Sequence, residues 1–303
     1  MTAPDNRKAW ADFWAANASG GASCVPDGLK EIDAAQRAAW QGFARTLDKG
    51  ARVLDLATGD GAALKKMREA RADLRLTGVD SSAALPPPPR GIALRAGVPM
   101  EALPFEACSF DAVISQFGYE YGDTAAIAAE VGRLLRPGGR LALLIHRRDG
   151  PIVAHNLPRR DALRWALSPG GSMARARTFL AARRITPIPT PAAFRSAPQE
   201  VQRLFPGQSV GAEFLQAILE TLERGRGRPV EESFEVLDTL EQKAGNEIAR
   251  IETLERAACD AARIKTICAE LQIAGVDMGP PGVVAEKSSG RLFAWLVSGT
   301  GRG

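Results

Sequence analysis

A chain of 303 residues with 45% hydrophobic content is long enough to bury one large core or two modest ones, and its net charge of +4 falls short of a nucleic-acid-binding signature. Two histidines, and four cysteines (Cys24, Cys108, Cys259, Cys268) without C-x-x-C spacing, offer no metal site. No run approaches the ~18 apolar residues of a membrane span, and Met1-Thr2-Ala3-Pro4-Asp5 lacks the basic and apolar regions of a secretory signal, so a reducing cytoplasm is the expected location.

Two amphipathic helices open the chain. Trp10, Phe13, Trp14 and Asn17 recur at helical spacing over 7–18, and Ile32, Ala35, Ala39, Phe43 and Leu47 over 31–47. Gly20-Gly21 and Pro26-Asp27-Gly28 separate them. A short apolar run, 51–57, then enters the loop Ala57-Thr58-Gly59-Asp60-Gly61 and opens into a helix over 61–71. Gly59 and Gly61 let the main chain bend sharply and admit a ligand close to it, and the helix behind them presents unpaired N–H groups. A strand-to-helix turn also needs glycine for geometry alone. Leu64 stands where a dinucleotide fingerprint has its third glycine. Asp55, just before the loop, would repel a pyrophosphate but attract an ammonium or sulfonium group. A second strand, Leu74 to Asp80, ends in an acid about 20 residues after the turn, the spacing at which a carboxylate reaches the two hydroxyls of a ribose.

The stretch Asp55 to Gly61 resembles the first motif of class I S-adenosylmethionine-dependent methyltransferases, D-x-G-x-G-x, with Ala57 where the first glycine usually sits. The resemblance implies an α/β fold with a Rossmann-like, seven-stranded, mostly parallel sheet ending in an antiparallel hairpin. It implies S-adenosylmethionine as cofactor and S-adenosylhomocysteine as product. It places Asp55, Ala57, Thr58, Gly59 and Gly61 at that cofactor, with Asp80 and Ser81 behind them, and makes the N-terminal helices a lid over the mouth of the site; packing of Trp10, Phe13 and Trp14 on the sheet edge is the other reading.

Further along, Pro86-Pro87-Pro88-Pro89 forbids the crossover helix expected over 81–91 and predicts an extended loop. A short third strand is expected over 90–95. Met100-Glu101-Ala102-Leu103-Pro104-Phe105 resembles the D-A-x-x-L-P-F stretch of the family, with Pro99 at the acid position. The adenine would then rest on the Met100 backbone N–H and on apolar contact, and Glu101 joins the expected cofactor residues. Phe110 to Gln116 reads as a buried fourth strand, and Gln116 lies at its carboxyl end, where open α/β sheets bind ligands. An amphipathic helix over 124–135 is stopped by Arg136-Pro137-Gly138-Gly139-Arg140, and Leu141 to His146 is a fifth strand. L-x-P-G-G-x-L before that strand is another recurrent feature of the family.

Residues 150–228 read as a helical insertion, with pieces near 158–167, 173–184 and 209–224. Arg159, Arg160, Arg164, Arg175, Arg177, Arg183, Arg184 and Arg195 face the single acid Asp161 within 159–195. A solvated face is one reading of this basic stretch, and contact with an anionic substrate is the other. From Pro229 to Ala274 apolar residues recur every three to four positions, which predicts one helix, bent near Gly245-Asn246 or projecting to pair with a second copy. Val283 to Lys287 and Leu292 to Val297 predict the terminal hairpin. The expected organisation is a lid (1–50), a cofactor-binding core (51–149), the insertion as substrate cap (150–228), and the long helix and hairpin completing the sheet (229–303).

An activated methyl group needs alignment and dryness more than many catalytic side chains. A hydroxyl or acidic-carbon acceptor would be helped by a base; His146 and His155 are the candidates, with Tyr119 and Tyr121 to position the acceptor. Ser115-Gln116-Phe117-Gly118 replaces the D/N-P-P-Y/F/W loop of amino-directed nucleic-acid enzymes, and Cys108 precedes the fourth strand, where a cytosine-directed nucleophile would follow it. These features favour a small-molecule acceptor, anionic or lipid-like, and the chain most resembles the quinone-biosynthesis group. An RNA or protein acceptor served by the basic insertion is the second reading. An inactive scaffold acting through the long helix is the third.

Overall fold

The structure is a computed structural model that describes residues 30–186 and 188–303. The expected helix at 7–18, with Trp10, Phe13 and Trp14, lies outside the described residues. The chain divides into two units, Met1–Val153 with Thr253–Gly303, and Ala154–Glu252.

The first unit begins with α1 (Lys30–Arg45), which buries Ile32, Gln36, Trp40 and Ala44 at one-turn intervals. Strand β1 (Arg52–Leu56) follows, buried from Val53 to Leu56 as a central parallel strand must be. It leads through the glycine turn into α2 (Ala62–Ala70), β2 (Arg75–Val79) and β3 (Ile92–Arg95). As the four prolines predict, no helix forms between β2 and β3. Strand β4 (Phe110–Gln116), a single 3-10 turn at Tyr119–Tyr121, and α3 (Thr124–Leu134) come next. Asp123 caps α3 by accepting from Ala125 N at 3.1 Å and Ala126 N at 3.2 Å.

Strand β5 (Leu135–His146) starts earlier than expected. Leu135 already pairs with Phe110, the chain bulges through Arg136-Pro137-Gly138-Gly139, and pairing resumes at Arg140 with Ala112.

The chain then builds the second unit with α4 (Pro151–Leu167), α5 (Ser172–Arg183), α6 (Ala192–Leu204), α7 (Ser209–Arg224) and α8 (Val230–Ala257). Helix α6 is a correction to the sequence reading, which left this Pro-rich stretch without structure. Pro191 supplies its N-cap, and Phe194, Ala197 and Val201 give it a buried face despite the internal Pro198. The unit has its own core, in which Leu163, Phe179, Ile218 and Leu237 are buried. Six of the eight arginines of 159–195 pair with acids within it, among them Arg159 with Glu247, Arg164 with Glu252, Arg177 with Asp238 and Glu241, Arg184 with Glu231, and Arg195 with Glu223. Arg160 pairs with Asp161, and Arg183 donates to the Leu222 carbonyl and to Thr190 Oγ1. Most of the acids come from α8, so the basic stretch is the counterpart of an acidic helix.

The expected single helix over 229–274 is two. It does not bend at Gly245-Asn246; it stops at Ala257, and α9 (Ala261–Ile273) begins after Ala258-Cys259-Asp260. Asp260 caps α9 by accepting from Arg263 N at 2.9 Å. Cys259 meets the end of β5: its N–H donates to the His146 carbonyl at 2.9 Å, and its carbonyl accepts from Arg148 N at 3.0 Å and Trp295 Nε1 at 3.0 Å. Those main-chain bonds cannot form from within a helix, which is why the helix breaks there. The apolar stripe of α8 packs within its own unit, with Leu237 and Ala244 buried and Leu240 and Ile248 partly so.

Strands β6 (Val276–Met278), β7 (Gly282–Ala285) and β8 (Leu292–Gly301) close the sheet. Its order is β3-β2-β1-β4-β5-β8-β6, parallel through β5 and antiparallel beyond. The sheet has eight strands, where seven were expected. Both β6 and β7 pair antiparallel with β8, and Gly279-Pro280-Pro281 divides them, because proline has no N–H for the ladder. Helices α3 and α9 bury Ile127, Val131, Ile264 and Ile267 against β4 and β5 residues Val113, Leu141 and Leu143. No helix among the described residues is long and apolar enough to cross a membrane.

Candidate active site

The first half of the site is the turn between β1 and α2. Ala57, Gly59 and Gly61 all take left-handed backbone, with φ of 52°, 53° and 75°. For alanine this costs about 1–2 kcal/mol, so the turn holds its shape even where the sequence lacks the usual glycine. The turn is tied to the neighbouring strand by Thr58 N, which donates to the Val79 carbonyl at 2.9 Å. Thr58 folds back over β2. A Cβ on Gly78 would lie 2.4 Å from Thr58 Oγ1, so this position admits no side chain.

Asp55 is 1% exposed. Thr58 Oγ1 donates to its Oδ2 at 2.7 Å, while Oδ1 finds no partner among the described residues. Burial, then the nearby acids Asp80 and Asp60, push its carboxyl up to about 8 against the pull of the Thr58 hydroxyl. An orphaned acid in this place fits a cationic ligand group.

Asp80 is held from both sides: Gly59 N donates to Oδ2 at 3.0 Å and Ser82 N to Oδ1 at 2.9 Å. A carboxylate oriented by two amides still has lone pairs for a pair of hydroxyls. Ser82 is buried, and Ser81 beside it is exposed. Met100 packs into the core, and its amide makes no hydrogen bond among the described residues, which leaves it for an incoming acceptor atom. Glu101 accepts from Asp123 N at 3.1 Å. Gln116 Oε1 accepts from Trp40 Nε1 at 2.6 Å, joining α1 to the end of β4.

The second half lies where β4 and β5 end. Phe117 has φ of 56°, rare for a bulky residue. Its N–H continues the ladder to the Leu144 carbonyl at 2.8 Å, and its ring stacks on His146 with centroids 4.0 Å apart. Glu120 Oε1 lies 2.8 Å from His146 Nδ1 and also accepts the His146 backbone N–H at 2.9 Å. Glu120 Oε2 is buried without a partner among the described residues. The Tyr121 ring sets its edge to the imidazole at 6.0 Å. Glu120 was missed from sequence. The one signal was a carboxylate between two tyrosines directly after a strand.

Tyr119 is fully buried, and its hydroxyl donates to the Thr124 carbonyl at 3.0 Å. Burial raises that hydroxyl far above its ordinary range, so Tyr119 anchors the turn and is not presented to a ligand. His155 lies in α4, in the second unit, and burial and Arg159 lower its affinity for a proton. Among the described residues no cluster of His, Cys, Asp or Glu could hold a metal ion.

A parallel sheet whose first turn is left-handed at three positions, with an acid at the end of the next strand, defines a nucleoside-binding α/β domain. Residues 54–143 match the family described as "Methyltransferase domain". The chain is 36% identical over 106 residues to an uncharacterized methyltransferase of Mycobacterium tuberculosis, a match covering 32% of this chain and 41% of that protein. It is 35% identical over 107 residues to the ubiquinone/menaquinone biosynthesis C-methyltransferase of Geobacter sulfurreducens, covering 32% and 42%. The chain therefore spans about two-fifths of the length of these relatives. Among solved structures, the 1,6-didemethyltoxoflavin-N1-methyltransferase of Burkholderia thailandensis is 13% identical with a TM-score of 0.49, covering 100% of this chain and 92% of that one.

Proposed function

We propose that this protein is an S-adenosylmethionine-dependent methyltransferase acting on a small-molecule acceptor. The observation that carries the reading is the Asp80 carboxylate, held by the Gly59 and Ser82 amides beside three left-handed turn residues. Asp80 would take the ribose hydroxyls, the Met100 amide the adenine edge, and Asp55 with the turn amides the charged amino-acid end. When bound, the cofactor supplies a methyl group already activated on a sulfonium. The chain then has to align a nucleophile and exclude water. The relatives named for quinone biosynthesis support a small aromatic acceptor.

The pairing of six of the eight arginines of 159–195 with acids of their own unit speaks against an RNA acceptor, since phosphate binding needs cations that are not already matched. The packing of the α8 stripe within its unit likewise favours a helix satisfied in the monomer over one that pairs copies. The domain organisation read from the sequence stands as part of this proposal, with the boundaries moved to those of the two units.

Calorimetric titration with S-adenosylmethionine and S-adenosylhomocysteine tests the reading. Micromolar binding by the wild type, weakened by about 1–3 kcal/mol in Asp80→Ala, is the expected result. A folded wild type that binds neither compound overturns the assignment.

A further inference from the structure

We propose that His146 and Glu120 form a base dyad that removes the proton of an acidic hydroxyl acceptor, a phenol or enol, during methyl transfer. The inference rests on the methyltransferase reading above and adds to it a base, a positioning residue and a class of acceptor.

The protonation pattern follows from the contacts. Glu120 Oε1 already accepts the His146 backbone N–H, so the ring nitrogen beside it donates as well. The proton therefore sits on Nδ1 and the basic lone pair on Nε2, and Nε2 has no partner among the described residues. Glu120 is a positioning residue: its side chain is fully buried, and its Oε1, 2.8 Å from Nδ1, fixes the orientation of the ring and the tautomer that leaves Nε2 basic. The His146 side chain is only 9% exposed, so the transfer would occur where little water competes.

A second observation points the same way. Phe117 pays for its left-handed backbone, and what it gains is a ring stacked on the imidazole. Strain of this kind, about 1–3 kcal/mol, persists where the surroundings enforce it and collects at functional sites. With Phe117 over one face and Tyr121 edge-on, the imidazole is left to act through its rim. The other groups around the pair are accounted for. Cys259, facing from the break before α9, is a thiol that burial pushes up to about 12. Ala294 is the β8 residue opposite. Arg147 pairs with Asp149 and lies over the Trp295 ring, and Arg148 binds the Ala258 carbonyl.

The acceptor class comes from the chemistry of the base. A neutral amine has its lone pair ready, whereas a phenol or enol must lose its O–H proton to become a strong nucleophile. In the step proposed, the O–H bond breaks and its proton passes to His146 Nε2. The acceptor oxygen bonds to the methyl carbon as the carbon–sulfur bond breaks, and that bond's electron pair stays on sulfur, which becomes a neutral thioether. The imidazolium then returns its proton to solvent.

With only two histidines in the chain, ring-15N NMR of the full-length protein, assigned with His155→Gln, reads the dyad directly and needs no cofactor. The expected result is an Nδ1–H tautomer for His146. Glu120→Gln, whose amide can either donate to or accept from the ring, should give a tautomer mixture, and Glu120→Asp should restore the Nδ1–H form in part. An Nε2–H tautomer in the wild type, or a tautomer that Glu120→Gln leaves unchanged, overturns the dyad. In parallel, methyl transfer from S-adenosylmethionine is measured with phenols of graded acidity and with primary amines, alongside S-adenosylhomocysteine affinity. His146→Gln should lower phenol turnover by about 10²–10⁴-fold, less for phenols already ionised at the assay pH, with the affinity unchanged. Amine turnover without phenol turnover, or phenol turnover indifferent to His146→Gln, overturns the acceptor class. Loss of homocysteine-product binding in the wild type instead counts against the methyltransferase reading, and the NMR result still decides the dyad.

Discussion

The carboxylate of Asp80 accepts the amide of Gly59 at 3.0 Å, so the end of β2 holds the shape of the turn that leaves β1. Asp80→Ala removes two acceptors at once and leaves the Gly59 and Ser82 amides without their partner. The expected cost is about 1–3 kcal/mol in stability, read by urea denaturation without ligand. Asp80→Asn, which keeps one carbonyl oxygen, should lose less. Equal stability of all three proteins would show that the amides are solvated and the turn is held elsewhere.

Asp55 predicts a pH dependence. Its carboxyl moves from 3.8 in the unfolded chain up to about 8 in the fold, chiefly by burial. Between those values the native state keeps a proton that the unfolded chain has given up, so stability falls as pH rises through that window and levels off above it. Asp55→Asn should flatten that slope, and the two proteins should differ most above pH 8. Thermal unfolding at pH 5, 7 and 9 checks it; parallel curves would mean that Asp55 is ionised in the folded protein.

Gly118 and Ala57 compete for one space. A Cβ on Gly118 would lie 2.4 Å from the Ala57 methyl, so Gly118→Ala should destabilise by about 1–3 kcal/mol. Ala57→Gly relieves left-handed strain and should gain up to about 1 kcal/mol. Combined, the second change should rescue much of the first, giving a coupling of about 0.5–2 kcal/mol in a double-mutant cycle. Strict additivity would place the clash elsewhere, Ser115 Oγ being the next atom at 3.1 Å.

Asp260→Ala removes the cap of α9 and should cost about 1 kcal/mol. Asp260→Ser, which can still accept from Arg263 N, should recover most of it. Denaturation midpoints that do not move would mean that the bonds of Cys259 define the helix start without the cap.

The parallel core was readable because each of its elements announces itself locally. Val53 to Leu56 is a buried run ending in a glycine turn, and Thr124 to Leu134 carries a clean 3.6-residue stripe behind a capping Asp. What escaped depends on partners far away in sequence. Nothing near Cys259 says that its N–H is wanted by the His146 carbonyl, so a helical pattern continuing past it read as one helix. The arginines of 159–195 looked unmatched because their acids lie up to 88 positions later in the chain, as in Arg159 with Glu247. Helix α6 was hidden by its prolines, which weigh against a helix in any local reading. At the candidate site, the half around the glycine turn follows spacing rules. The Glu120–His146 contact spans 26 positions and two elements, and only the fold brings it together.

The meeting of Arg147 and Arg148 with Cys259 has an architectural consequence. More than a hundred residues leave the sheet after Arg148 and return at Cys259, yet exit and entry are joined by a main-chain bond of 3.0 Å between Arg148 N and the Cys259 carbonyl. The sheet therefore sees everything between them as one closed loop, whose entropic cost grows only logarithmically with its length. Such a socket lets the intervening segment be lengthened, shortened or exchanged while the strands on either side keep their register.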